Sequence, residues 1–449
     1  MLGLDEPGTP VKVVEPYQML GEIETDLIDA LGIDVVPLMS PYSMFGFKLE
    51  DWKQWRTPDG TPVLVPGRFN TDPGPNGEWL NYGGDKMWPA PQGWDSDRQW
   101  PGPPDPVLDG GAYAAEVTTE AGRPVSVKLT SRKDKRSGIQ FSRVLRIFND
   151  STHVSIDATM KNIDTKPRRW GIWTVTQFDT SNRHGDGYNQ NYWAYCPLRP
   201  DSIFHKDYSV LYGMVNNISF KPDYQNQMMR VHYENRVGKI GVDSAAGWVA
   251  TVDSTDGYVF VHRFTYEPGK AYPDDSSVEF WSNGLGEFVA WGKVVKMPEE
   301  PEDNPYLLES EILSPFAALD PGESYSFHYD WYAAKVPVDS SVKACSDVGV
   351  TCEPPSARFR DGKLTLTGQF GVFYKANFRL AYLDENGSEL GQGVFAAPVT
   401  PLQPLILSKL LKSSDDVIVP PNAHKVALYL YDTKGRILGE LARVPIQRD

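Results

Sequence analysis

No apolar run in this sequence approaches the roughly 20 residues that a membrane-spanning helix requires, so helical insertion into a bilayer is not expected. Positive charge is scarce as well: 44 Lys and Arg stand against 59 Asp and Glu, a net charge of −15. Proteins that grip nucleic acid present a basic face, and no Lys/Arg cluster here exceeds the short turn "SRKDKRSG". An acidic surface also repels anionic lipid. Neither nucleic acid nor a membrane surface is an expected partner. Cysteine is rarer still, with Cys196, Cys345 and Cys352 the whole complement. Cys345 and Cys352 share one loop and could pair in an exported chain, whereas three reduced thiols fit a cytosolic one. No CxxC or HExxH spacing announces a metal, and no phosphate-binding loop, GxSxG elbow or dinucleotide fingerprint occurs. The expectation is a protein without metal or cofactor. The opening residues "MLGLDEPGTP" carry no basic stretch followed by an apolar one, which reads as a cytoplasmic chain, or an extracytoplasmic one if a signal has been removed.

What is present is a long, turn-rich, aromatic chain. At 449 residues two or three domains are expected, and 40% hydrophobic residues are ample for real cores. Gly (39) and Pro (37) are frequent, which favours short strands joined by many turns. Near the start, "EIETDLIDALG" reads as a short helix with Ile23, Leu27 and Leu31 on one face and Gly32 as its cap. "TPDGTPVLVPGRFN" then gives an Asp59-Gly60 turn and a strand at Val63–Val65. From about 112 to 335 strands follow one another; in "HVSIDATMKNI", Val154, Ile156, Ala158 and Met160 fall on one face. Their spacing predicts antiparallel sheets stacked face to face. Residues 336–360 read as a linker, and 361–449 as a small β-sandwich of immunoglobulin size. Within it, "RLAYLDENGSELG" (379–391) is echoed by "ALYLYDTKGRILG" (427–439), each reading as strand, turn, strand.

One stretch fits no element. "NYGGDKMWPAPQGWDSDRQWPGPPDPVLDGG" (81–111) combines Trp88, Trp94 and Trp100 with six prolines and has neither helical nor strand periodicity. With "NIDTKPRRWGIWTVTQFD" and "ESEILSPFAALDPGE" it makes residues 83–335 resemble a family of uncharacterised bacterial domains with a galactose-mutarotase-like supersandwich fold. The fold class expected is therefore all-β: an antiparallel supersandwich, a C-terminal immunoglobulin-like sandwich and a short α/β segment over 1–82. Within that segment, "LGIDVV", "MFGF" and "DWKQWRTPDGTPVLVPGRFNTDPGPNGE" resemble part of the uroporphyrinogen-decarboxylase-like methyltransferases. Those are barrels of about 250 residues, their zinc ligands have no counterpart here, and no catalytic residue is carried over. The two resemblances change over near Tyr82-Gly83.

The mutarotase-like resemblance implies general acid–base chemistry on a sugar: one group protonates the ring oxygen while another takes the anomeric proton. Where the family has its catalytic His, this sequence has Trp173, Thr174 and Gln177. Candidate acids are therefore His262, in "VFVHRFTY", and His184, in the polar loop "SNRHGDGYNQNYW". Glu309 and Glu311 alternate on one strand face and resemble the family's base position; Glu311 is the candidate base. A solvated strand face is the alternative for the two glutamates, and a packing role for the histidines. Asp85 and Lys86 follow a Gly pair, where backbone approaches a ligand closely, and Lys86 and Arg98 could anchor hydroxyls or a negative substituent; a surface ion pair with Asp95 or Asp97 is the alternative. Trp88, Trp94, Trp100 and Trp173, with Gln177, suit the C–H face and hydroxyls of a pyranose, or else pack a loop onto the sheet. The expected partner is a small-molecule or oligosaccharide ligand. Four functions follow: a carbohydrate-recognising protein, an aldose 1-epimerase or other sugar-active enzyme, an interaction module that docks through its aromatic loop, and, last in order, a methyltransferase or decarboxylase remnant implied by the N-terminal resemblance.

Overall fold

The described residues of the computed structural model are 10–15, 20–22, 49–56, 60–69, 71, 82–83, 86–87, 108, 113–120, 123–135, 137–290, 293–300, 304–390, 396–410 and 419–448. Alternation of apolar and polar residues explains most of the architecture. In the strand Val154–Asn162, Ile156, Ala158 and Met160 are buried while Asp157, Thr159 and Lys161 face outward, as the period of two predicts. That strand lies within a ten-stranded sheet. Its order is Phe220–Asp223, Met228–His232, Tyr192–Pro197, Trp248–Asp253, Tyr258–Phe264, Ser324–Lys335, Val154–Asn162, Ile139–Ile147, Val125–Thr130 and Ala114–Thr118. A second sheet has five strands, in the order Trp173–Asp179, Leu307–Leu313, Val278–Ser282, Gly238–Val242 and Ser209–Gly213. All pairings within both sheets are antiparallel.

The two sheets form a sandwich. Ile240, Val242, Val278, Phe280, Leu308 and Ile312 from the smaller sheet share one core with Ile156, Met160, Val231, Val249, Phe327 and Tyr329 from the larger. A hydrogen bond between Ser310 Oγ and Thr251 Oγ1 (2.6 Å) joins the sheets directly. The expected all-β sandwich is thus what the chain forms. Part of the large sheet's other face is apolar too: Tyr195, Ala250, Val252, Val259 and Val261 pack against Val342, Val350, Cys352 and Phe373, which belong to the C-terminal unit.

That unit begins earlier than expected. Residues 336–360 read as a linker, yet Gly349–Arg360 is a twelve-residue strand, and Val342, Val348 and Val350 are buried. The prolines misled: Pro354 and Pro355 fall where the register against Lys363–Val372 shifts, and such irregularities accommodate proline inside a sheet. The eight strands enclose their own core around Phe370, Phe378, Tyr382 and Leu428. The internal echo is real in three dimensions. Asp384 and Asp432 each accept the backbone N–H four residues on, at 2.8 Å, and Gly387 and Gly435 follow with φ of 85° and 79°. The two echoing strands pair antiparallel with Leu380 directly opposite Leu428, its own counterpart in the repeat.

At the N-terminal end, Leu20–Gly21, Val11–Glu15, Pro62–Val65 and Lys53–Arg56 make a four-stranded sheet over Val13, Val63, Val65 and Phe69. The Val63–Val65 strand is found as expected; the helix expected over 22–32 lies outside the described residues from 23 onward. All three cysteines are free, so Cys345 and Cys352 do not pair. Burial pushes the Cys345 thiol up to about 12 and Cys352 up to about 11, which makes both poor thiolates. Among the described residues no helix is long and apolar enough to cross a membrane, and no group of three or more His, Cys, Asp or Glu is placed to hold a metal ion.

Candidate functional site

Because Ser310 points at the large sheet, Glu309 and Glu311 must point the other way. Register then fixes their company. Val175 and Glu279 lie opposite Glu311, Gln177 and Trp281 lie opposite Glu309, and Lys239 lies opposite Trp281. The outer face of the five-stranded sheet therefore gathers three carboxyls, one ammonium, one amide and two indoles. Lys239 Nζ donates to Glu279 Oε2 (2.7 Å) and to Glu311 Oε2 (2.8 Å), and lies 4.7 Å from the centre of the Trp173 ring. The Trp173 indole N–H donates to the same Glu311 oxygen (2.5 Å), while the Gln177 amide donates to Glu309 Oε1 (2.8 Å).

This face is not a solvated one. Glu311 and Glu279 are 0% and 2% exposed, whereas Trp173 keeps 40% of its surface in water. Glu279 Oε1 and Glu311 Oε1 are buried with no hydrogen-bond partner among the described residues. An unpaired buried acceptor costs about 1–3 kcal/mol, and such exceptions in native proteins call for a reason.

The charges do not balance if all four groups ionise. Burial, the largest effect, pushes the Glu279 carboxyl up to about 8; Glu311 adds to the rise and Lys239 opposes it. Glu309 is pushed up to about 8, first by burial and then by the adjacent Glu311 charge, against the Gln177 hydrogen bond and Lys239. Burial alone would lower Lys239, but Glu311 and Glu279 outweigh it and hold the ammonium protonated. Near neutrality Glu279 and Glu309 thus favour their protonated forms beside the Lys239 ammonium. Glu309, able to donate a proton in that form, stands two residues from Glu311 on the same strand.

His262 is elsewhere. It faces the interior of the sandwich, fully buried, with Nε2 2.8 Å from Thr176 Oγ1 and its ring edge-on to Phe260 and Trp331. Thr176 alternates with Val175 and Gln177, so His262, on the ten-stranded sheet, meets the inner face of the five-stranded sheet while Glu311 stands on its outer face, and the two are not brought together. Burial pushes the imidazole down to about 3, which keeps it neutral. His184 is largely exposed in its loop and pairs with Asp256 at 2.8 Å. Neither histidine bonds to the carboxyl cluster. Trp173, Gln177 and Glu311, by contrast, lie on one face of one sheet, with Trp173 bonded to Glu311. Asp85, Trp88, Trp94, Arg98 and Trp100 lie outside the described residues, as does the side chain of Lys86, whose backbone pairs with Gly83. Sequence reasoning missed Lys239 and Glu279. Their only signal was a single charge inside each of the apolar strands "GKIGV" and "VEFWS", an arrangement seldom buried without a partner.

Fold and cluster together define a two-sheet β-sandwich protein with a desolvated acid–base cluster beneath an exposed indole. The chain belongs to a family described as Domain of unknown function (DUF4380), which it matches over residues 73–334. That match begins upstream of the Tyr82-Gly83 change-over read from the sequence. Solved structures to which the chain is similar include a galactose mutarotase related enzyme from Lactobacillus acidophilus, at 10% identity over 50% of this chain and 72% of that one, TM-score 0.30. A galactose mutarotase-like protein from Lactobacillus casei ATCC 334 shares 9% identity over 50% of this chain and 74% of that one, TM-score 0.32. Another, from Clostridium acetobutylicum, shares 10% identity over 51% and 68%, TM-score 0.30. No curated protein matches this chain.

Proposed function

We propose that the protein recognises carbohydrate on the outer face of its five-stranded sheet. The observation that carries this reading is the Trp173–Glu311 pair: a half-exposed indole bonded to a carboxylate whose second oxygen is buried and unpartnered. A sugar ring presents both complements, an apolar C–H face for the indole and hydroxyl donors for the carboxylate. Gln177 and Glu309 extend the polar row by one strand step, and Lys239 orients Glu311. The ligand is a neutral mono- or oligosaccharide. Glycan-array and thermal-shift screening of the intact chain tests this. Saturable binding of at least one sugar is expected, with Trp173→Ala weakening it about tenfold or more, on the order of 1.4 kcal/mol. A panel without any binder, or an unaffected Trp173→Ala variant, would count decisively against the site.

A second reading, aldose 1-epimerase-like acid–base catalysis, is favoured by the different settings of two neighbouring carboxyls: Glu309 is pushed up to about 8, while Glu311 is bonded to the Lys239 ammonium and the Trp173 indole. Carboxyls whose environments drive their protonation apart are how one site supplies both an acid and a base. Glu309 would protonate the ring oxygen and Glu311 would take the anomeric hydroxyl proton, with neither histidine required. Polarimetry with free aldoses should then show an acceleration that Glu311→Gln reduces by about 10²–10⁴. Absence of acceleration for every aldose leaves recognition alone.

A further inference from the structure

A second site lies on the opposite side of the sandwich, at the edge of the contact between the ten-stranded sheet and the C-terminal unit. There a cleft of about 200 Å³ is lined by Tyr195, Asp223, Met228 and Arg230 from the sheet, with Asn226, and by Val342, Lys343 and Pro354 from the C-terminal side. Arg230 is fixed in place without being satisfied. Its guanidinium stacks over the Trp193 ring at 4.9 Å, and Trp193 is itself stacked against His232 at 3.9 Å. Yet Arg230 Nε is buried with no hydrogen-bond partner, and the nearest carboxylate, Asp223 Oδ2, stands 4.0 Å from Nη1.

Asp223 is otherwise engaged: its two oxygens accept from the backbone and side-chain N–H groups of Asn226 (3.1 and 2.9 Å). Those bonds hold its carboxyl below the usual range, so it stays charged and stays in place. Lys343 acts on Asp223 electrostatically but forms no ion pair among the described residues. The cleft thus holds two cations against one occupied carboxylate, in a protein of net charge −15. A buried Nε–H without an acceptor is an incomplete hydrogen bond, the Arg230 side chain as a whole is 35% exposed, and a guanidinium held over an aromatic ring is well suited to carboxylate or phosphate oxygens.

We propose that this cleft binds a small organic anion, whose carboxylate or phosphate oxygen accepts from Arg230 and lies against Lys343. The ligand would touch both the sheet and the C-terminal unit, and its binding would tie the two together. This site is separate from the carboxyl cluster and does not depend on its reading.

Isothermal titration of the full chain at fixed ionic strength tests the assignment, with inorganic phosphate, D-glucuronate and D-glucose as separate probes. Saturable binding of phosphate or glucuronate with a Kd of about 1 mM or tighter is expected, and the arm that binds distinguishes the two oxyanions. D-Glucose should not displace the bound anion. Arg230→Met and Lys343→Met should each weaken binding about tenfold or more, while Lys434→Met, which removes a remote exposed charge, should leave it unchanged. Should Arg230→Met fail to fold, Lys343→Met, at an exposed position, still decides. No saturable binding of either anion by the unaltered chain, or equal binding by the Lys343→Met and Lys434→Met variants, would overturn the proposal.

Discussion

Replacing Lys239 by methionine is expected to cost the folded protein about 3–5 kcal/mol at pH 8, the usual penalty for breaking a buried ion pair from one side. Lys239 is the one cation bonded to both Glu279 and Glu311. Without it their carboxyls must either stay charged in a dry setting or take up protons that the unfolded chain does not hold at that pH. The deficit should therefore shrink toward pH 5, where protonation is cheap, and grow as pH rises. Urea unfolding at several pH values measures it. Glu279→Gln in the same chain should restore part of the loss, because the two changes share a partner and cannot be additive. A uniform deficit below about 1 kcal/mol, within the range of exposed ion pairs, would mean that the cluster is solvated after all.

The second large effect concerns acid. His262 is buried with its imidazole pushed down to about 3, against an ordinary value of 6.5. A lowered folded value means that stability is fully present above pH 6.5 and is lost as pH falls toward 3. The full loss is about 4–5 kcal/mol at 1.36 kcal/mol per pH unit. Glu279 and Glu309, raised to about 8 from 4.5, work in the opposite sense. Their contribution is complete below about pH 4.5 and is lost as pH climbs toward 8. Stability should accordingly peak at mildly acidic pH. His262→Gln keeps a hydrogen-bonding partner for Thr176 but cannot titrate, so its acid limb should be flatter than that of the unaltered protein while its alkaline limb keeps the same slope. Parallel curves across pH 3–7 would show that His262 is not the group responsible.

Much of this was written in local pattern, and the exceptions share one cause. Alternation in "HVSIDATMKNI" gave a strand and its buried face, and alternation of Glu309 with Glu311 placed both on one side. The Asp-Gly spacing of the C-terminal echo gave two like turns. The same kind of alternation also held the answer for His262: in "VFVHRFTY" it points inward with the apolar set of its neighbouring strand, opposite Val249. Its polarity drew the functional reading instead. Lys239 was out of reach because its partners Glu279 and Glu311 are 40 and 72 residues away along the chain, and only sheet order and register bring them together. The 336–360 stretch misled for a related reason, since its prolines mark an irregular pairing that depends on a partner strand.

The outward carboxyls also act on how the strands find one another. Side chains alternate faces with a period of two, so a slip of one residue in Leu307–Leu313 would drive Glu309 and Glu311 into the apolar core and expel Leu308 and Ile312. A slip of two would keep the faces but strand Lys239 opposite the wrong neighbours. The cluster is thus also a key to strand alignment, and only one threading of the sheet lets all four groups meet.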